Sequence, residues 1–516
     1  MITKILSLFV LLLSGTLAFA QERPLGVFEK NSDIGNPKLA GSAAYDKATQ
    51  SYTLKGGGYN IWFNRDEFHY LYREISGDFL LTANFAFVGE TGDPHRKIGW
   101  MIRESAEPDS IHVSAVSHVD GLMVMQWRQL RGAYMRDPED EIFLAKKGGQ
   151  IIQMERRGKT VSMRVANPGE PLQMVGSHEM PHMADSVLAG LYVCSHNAEA
   201  METATIWNVR IDKPVENRYE PNPILARTQK PFQGVLGSRL EILNVADGRR
   251  KVIHESKTRF EAPNWMPDGK RLLFNEAGSL FTISVEGGTP VKLNTGFADR
   301  NNNDHGISFD GKMLAISHHR EGLPGGGSTV YVLPLAGGTP KLVTEGTPSY
   351  WHGWSPDGKE VVVVAQRGGS MVCNLFKVNV DTGKEVALTQ NTSGHVDGCE
   401  YSPDGQFIYY NADASGTMQI WRMKPDGTGR EQVTFDEYHD WFPHVSPDGK
   451  WIAYISFPTD IEPGSHPTYR RVMLRLMPAS GGAPRVIAHL YGGQGTLNVN
   501  SWSPDSKQLA FVSNSE

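Results

Sequence analysis

The chain has 516 residues, 40% hydrophobic and 21% charged, a globular composition that excludes wholesale disorder. Its 51 Lys and Arg against 57 Asp and Glu give a net charge of −6 with no basic stripe, which argues against nucleic acid as a partner. The 54 Gly and 30 Pro fit many short strands joined by tight turns.

Residues 1–20 have the pattern of a secretory signal. Lys4 gives a positive start, Ile5 to Leu13 an apolar stretch, and Ala18-Phe19-Ala20 small residues at the cleavage positions. No later segment reaches the roughly 18 apolar residues of a membrane span. The expected compartment is periplasmic or extracellular. Cys194, Cys373 and Cys399, an odd number in separate segments, do not make a disulfide framework.

Residues 21–213 alternate in period two, as in Phe79–Phe87, Ile98–Arg103, Gly121–Arg128, Thr160–Ala166 and Val187–Cys194. Breakers such as Gly92-Asp93-Pro94 and Asn167-Pro168-Gly169 separate the runs, and no amphipathic helix appears. The expectation is an antiparallel β-sandwich. Polar residues inside these runs (Arg65, Asp66, His69, Arg103, His118, Asp120, Gln126 and Arg128) are expected on a solvated sheet face. Glycoside hydrolysis would instead need two acids about 5–9.5 Å apart, and Glu67 with Asp78 or Asp120 is the candidate pair. Pro221 and Pro223 mark 214–232 as an extended linker.

From 233 onward six turn motifs repeat, with aspartates at 268, 310, 357, 404, 448 and 505. In five, Asp is followed by Gly; Ser506 stands there in the last. Asp bonds its own backbone and Gly accepts positive φ, so each motif is a tight turn. A β-rich run follows each turn, then a second strand pair such as Gln419–Lys424 and Glu431–Thr434. Four strands per period of about 45 residues make a propeller blade. The sequence ends after the second strand of the sixth repeat, while a lone pair, Leu240–Val245 and Lys251–His254, precedes the first. Joined, they complete a blade. The fold class is therefore all-β: a sandwich, then a six-bladed propeller closed by its N- and C-terminal strands.

Blade geometry puts the loops entering the innermost strands on one face and the Pro-Asp-Gly turns on the other. Ten histidines fall at or after His254, and eight map to the entry face. Imidazole is the commonest metal ligand and general base. His305, His352 and His395, from entry loops of consecutive blades, are the expected ligands of a divalent metal (Mn, Ca or Zn). His439 and His444 are the expected catalytic groups. Arg320, Trp351, Trp441 and Asp397 are expected to bind ligand, the aromatic rings stacking on sugars. The bland alternative is that entry-loop His and Trp plug the channel.

The Trp354–Lys359 repeat, Trp-Ser-Pro-Asp-Gly-Lys, resembles the repeats of TolB-type propellers over roughly residues 233–516. In the sandwich, Asp66–His69, Ser76–Phe79, Gly99–Arg103 and Asp120–Leu122 resemble concanavalin-like, laminin-G-type domains. Oligogalacturonate lyases are also propellers with His-rich mouths, and His305, His352, His395 and His439 match them by position within the blade. That resemblance implies a metal on the uronate carboxylate and a His taking the α-proton. Those enzymes carry seven blades, whereas six are counted here.

A Gly-x-Ser-x-Gly elbow, a phosphate-binding loop and a dinucleotide fingerprint are all missing from the sequence. Two functions remain: binding of an oligosaccharide or envelope protein through the His/Trp face, or metal-dependent lysis or hydrolysis of a saccharide.

Overall fold

The computed structural model describes residues 24–90, 92–145, 148–215 and 234–515. The expected signal segment lies outside the described residues, as does most of the expected linker. Apart from one 3-10 turn at Pro324–Gly327, every regular element among the described residues is a strand.

Two seven-stranded antiparallel sheets make the first domain. The first orders Lys30–Ile34, Phe68–Ile75, Val187–Cys194, Lys97–Arg103, His112–His118, Met123–Arg128 and Glu141–Phe143. The second orders Gln173–Glu179, Thr160–Ala166, Ile151–Arg157, Phe79–Phe87, Glu202–Asp212, Ser51–Gly56 and Ser42–Asp46. Alternate residues of each sheet enter a shared core, where Leu71, Trp100 and Leu191 join Leu81, Met154 and Ile206. Burying one such side chain stabilises the fold by about 1.5–3 kcal/mol.

The other face of the first sheet corrects the expectation of a solvated surface. Phe68, Tyr70, Met101, Val124 and Tyr192 form a second apolar cluster there with Ile61. Asp66 accepts from Arg128 at 2.7 and 2.9 Å and pairs with Arg103 at 3.4 Å, all three side chains fully buried. Gln126 donates to the Ile61 carbonyl at 3.0 Å. Polar groups can be buried when they satisfy one another, which alternation alone does not reveal. Only Arg65 and Asp120 of the eight stay exposed. Each of the candidate acids is already engaged by a donor. Glu67 accepts from Arg65 and the Tyr59 amide, Asp78 from the Gly158 amide, and Asp120 from the Leu122 amide.

Six blades follow, as the repeats predict. Blades 1 to 5 are four-stranded, with innermost strands Phe260–Trp265, Asn301–Ile307, Ser349–Trp354, Val396–Tyr401 and His439–Val445. Blade 6 joins Gly237–Asn244 and Arg250–Ser256 to Gln508–Ser515, with Trp502 bridging Leu509 on the channel side. The turns work as their residues dictate. Ser355 Oγ accepts from the Glu360 amide at 2.9 Å and donates to Asp357 Oδ1 at 2.8 Å, and Asp357 accepts from the Lys359 amide at 3.1 Å. Ser308, Ser402, Ser446 and Ser503 repeat the arrangement. Ser506 takes the glycine place at φ 60°. A left-handed conformation costs a residue with a Cβ roughly 1–2 kcal/mol.

The sandwich packs against the outer strands of blades 5 and 6. Glu241 of blade 6 is fully buried and accepts from Arg210 of the sandwich at 2.5 Å, from Arg250 at 2.8 Å and from Ser513 at 2.5 Å. Asn208 donates to the Gly248 carbonyl at 2.9 Å and accepts from the Arg250 amide at 2.8 Å. Gly169 forms a β-bridge to Val486 of blade 5, and Glu155 is hydrogen-bonded by Arg164 and Arg471.

Candidate functional site

The innermost strands are irregular at one recurring level. Their ladders shift between Glu261 and Asn264, Asn301 and His305, Trp351 and Gly353, Asp397 and Glu400, and Trp441 and His444. Each shift inserts extra residues on the channel side, and such bulges re-aim side chains. At Gly398, φ is +59°, and an added Cβ would lie 2.5 Å from Asn411 Oδ1 and 3.0 Å from Phe442. Glycine there lets the backbone turn so that its amide donates to Asp397 Oδ1 at 2.8 Å.

Asp397 is the centre of the entry-face mouth. His352 Nε2 lies 2.9 Å from its Oδ1, while His395 Nε2 and His466 Nε2 lie 3.4 and 3.7 Å from its Oδ2. One atom each from His395, Asp397 and His466 fall within 4.8 Å of one another. Ligands about 2.1 Å from a tetrahedral ion stand roughly 3.4 Å apart, so this spacing suits a divalent metal. The Trp441 ring backs His466 at 4.4 Å and His395 at 5.5 Å, and Phe442 sits 5.3 Å from His466.

Electrostatics follow from burial and the shared carboxylate. Burial pushes the Asp397 pKa up, but His352 and His395 outweigh it and hold the carboxyl well below its usual range. Burial pulls His352 and His395 down, yet Asp397 raises both above an ordinary imidazole. His466, where burial prevails, is lowered. Asp304, bonded by Asn302 at 2.8 Å, is pushed up to about 7 by burial.

The expected site residues are therefore divided. His352, His395, Asp397 and Trp441 come together, and His466 completes the group. His305 does not join it. It is buried in blade 2, and burial lowers it to about 4. His439 packs between blades, its Nδ1 accepting from the Met418 amide at 3.4 Å. His444 lies deeper, 2.7 Å from Glu400 Oε2 and 3.0 Å from the Leu497 carbonyl, so both ring nitrogens are occupied. Trp351 packs over Gly306 and lines the opposite mouth. Arg320 stands on the blade 2 loop, its amide bonded to the Gly327 carbonyl at 3.0 Å. His466, one of the eight histidines that map to this face, stands between the second and third strands of blade 5 and is not among the expected ligands, which come from entry loops alone.

Known proteins resemble this chain over a length close to that of the ring. A family model described as the TolB beta propeller domain matches residues 326–462. An uncharacterized protein of Agrobacterium fabrum is 44% identical over 280 residues, covering 54% of this chain and 93% of that protein. A solved structure from Agrobacterium tumefaciens, provisionally named TolB, is 44% identical with a TM-score of 0.51, covering 55% of this chain and all of that one. Dipeptidyl-peptidase 5 of Porphyromonas gingivalis is 25% identical over 299 residues, 52% of this chain but 39% of that enzyme.

Proposed function

This chain belongs, through its propeller, to the TolB-like β-propeller family, and on that premise we propose that the ring is a binding scaffold whose entry-face mouth holds a divalent cation and, on it, an oxygen-rich ligand of the saccharide class. The observation that carries the reading is the convergence of His395, Asp397 and His466. Two imidazoles and a carboxylate are the donor set of Zn or Mn more than of Ca, which prefers oxygen. Such a trio leaves coordination positions open for a hydroxyl or carboxylate of the ligand, and Trp441 supplies an aromatic wall. The pattern at Lys4, Ile5–Leu13 and Ala18–Ala20 supports a protein acting outside the cytoplasm, where an envelope protein is the other class of partner.

The test is titration of the dialysed protein with Zn, Mn and Ca by calorimetry, followed by an oligosaccharide array with and without chelator. The expected result is one ion per chain, abolished in His395→Ala and His466→Ala, and saccharide binding that needs the ion. Failure of all three metals to bind ends the reading.

A second reading, a metal-dependent saccharide lyase or hydrolase, is favoured by His352. An imidazole oriented by a carboxylate beside a metal is the arrangement a general base requires. Turnover of a bound oligosaccharide by the wild type and not by His352→Ala would support it.

A further inference from the structure

The opposite mouth of the channel, between the Pro-Asp-Gly turns, opens into a cavity of about 420 Å³. Trp265, Trp351, Trp354 and Trp502 line it, with Pro267 and Pro403 among the turn residues. Its chemistry is unlike that of the Asp397 mouth. No Lys, Arg or Asp is among the lining residues, and its one acid, Glu400, is neutralised where it stands. Glu400 Oε1 accepts from Asn500 at 2.6 Å, and Oε2 lies 2.7 Å from His444 Nδ1. His444 Nε2 meets a carbonyl, which only accepts, so Nε2 carries a proton. The short contact to Glu400 then needs a second proton between ring and carboxyl, and the pair is neutral in total.

Some lining residues also carry buried hydrogen-bonding groups that are unanswered. Trp354 and Trp502 occupy equivalent places before their turns, and each donates its indole N–H to a carbonyl of the preceding blade, Gly306 and His444, at 3.0 Å. Trp265 occupies the same place in blade 1, 93% buried, yet its Nε1 has no partner. Trp351 Nε1 and Asn264 Oδ1 are likewise buried and unpartnered, although Asn264 Nδ2 donates to the Asn500 carbonyl at 2.8 Å. Leaving such groups unmet costs about 1–3 kcal/mol each, which a ligand that reaches them as the rings shift recovers on binding.

We propose that this cavity is a binding site for an uncharged saccharide. Two indole donors and an amide acceptor call for groups that both accept and donate, which hydroxyls do. Aromatic walls suit the C–H faces of a sugar ring. The ionisable lining residues are already matched, Glu400 by His444 and His352 by Asp397 at 2.9 Å, which disfavours a charged ligand, whose desolvation nothing here offsets. The volume falls within the roughly 300–1,000 Å³ of small-molecule sites. His352 lines this cavity and also touches Asp397, but the unpartnered groups belong to residues outside the Asp397 cluster, so removing His395 and His466 separates the two sites.

The experiment titrates the full chain with maltose, cellobiose and diacetylchitobiose, and with digalacturonate as the charged control, following Trp fluorescence and calorimetry. At least one neutral disaccharide should bind, more tightly than digalacturonate. Trp265→Phe, which keeps an aromatic ring but loses the N–H with the pyrrole half of the indole, should weaken it about tenfold, as should Trp351→Phe. His395→Ala/His466→Ala should leave that affinity unchanged while removing cation binding. The proposal is overturned if no neutral disaccharide binds up to about 50 mM, a limit well beyond ordinary millimolar affinities. Binding unchanged in both Trp variants, or lost with the His pair, or displaced by an apolar peptide that shows the Trp dependence itself, overturns it equally.

Discussion

Gln50 of the sandwich meets Val252 of the closing blade through both halves of its amide, donating to the carbonyl at 2.8 Å and accepting from the amide N–H at 2.9 Å. A side chain here plays the part of one residue of a neighbouring strand. Asn208 does the same for Gly248 and Arg250. Together they occupy the outer edge of Arg250–Ser256, the kind of open edge that otherwise recruits other chains.

Replacing both amides, Gln50→Ala with Asn208→Ala, should expose that edge. The expected cost is about 1–3 kcal/mol in urea unfolding for the groups left unpaired. Concentration-dependent association in sedimentation should accompany it. A monomer of unchanged stability would show that the amides do not guard the edge.

Glu241→Gln should be more damaging. Burial raises the Glu241 pKa, but Arg210 and Arg250 outweigh it and hold the carboxyl far below its usual range. Removing the charge strands two buried guanidinium groups, which costs about 3–5 kcal/mol where a buried pair is broken. Calorimetric melting should show the loss, and Arg210→Ala should reproduce part of it.

Acid should loosen the contact between the domains. His489 of blade 5 is hydrogen-bonded to the Glu170 carbonyl at 3.1 Å, and burial lowers it to about 4. The unfolded imidazole titrates near 6.5, so below that pH the unfolded chain takes up a proton that the folded chain refuses. Stability present above pH 6.5 is then lost as pH falls toward 4, by about 2 kcal/mol at pH 5. In His489→Gln the difference in urea midpoint between pH 7 and pH 5 should shrink accordingly; an undiminished difference would place the acid sensitivity elsewhere.

His352 and His466 should respond differently to removal. His352 touches the oxygen of Asp397 opposite to the one facing His395 and His466. His352→Ala should therefore weaken a bound cation about 10–100-fold, as loss of an orienting partner does, while His466→Ala removes a ligand and abolishes binding. Calorimetric titration with Zn distinguishes the two, and equal effects would mean that His352 is itself a ligand.

The blade count, the closing strand pair and the histidine-rich face were all legible, because turn chemistry repeats at fixed offsets and strands must follow it. The level of each histidine along the channel was not. His305 and His352 stand two residues before Ile307 and Trp354, whereas His395 stands six before Tyr401. Belonging to entry loops did not make them neighbours. His466 comes from the connection between the second and third strands of its blade, the same kind of connection that carries Arg320 in blade 2, and the sequence does not show how far either reaches toward the channel. In the sandwich, Asp66, Arg103 and Arg128 looked solvated because each is polar, and only their mutual pairing explains their burial.

Blade 6 couples residues far apart in the chain: Ser238 bonds Asn514 across 276 positions. Bringing such ends together costs roughly 5 kcal/mol in loop closure by the logarithmic law, against little for the local hairpins of blades 1 to 5. The hairpins can therefore form early and in any order, while the ring has no complete circumference until residues 496–515 arrive. Until they do, Gly237–Asn244 has one side unpaired. The sandwich, made first, already carries Gln50 and Asn208 for the outer side of that same hairpin. It can hold the waiting pair in place, so that the closing strand finds a template and not a loose end.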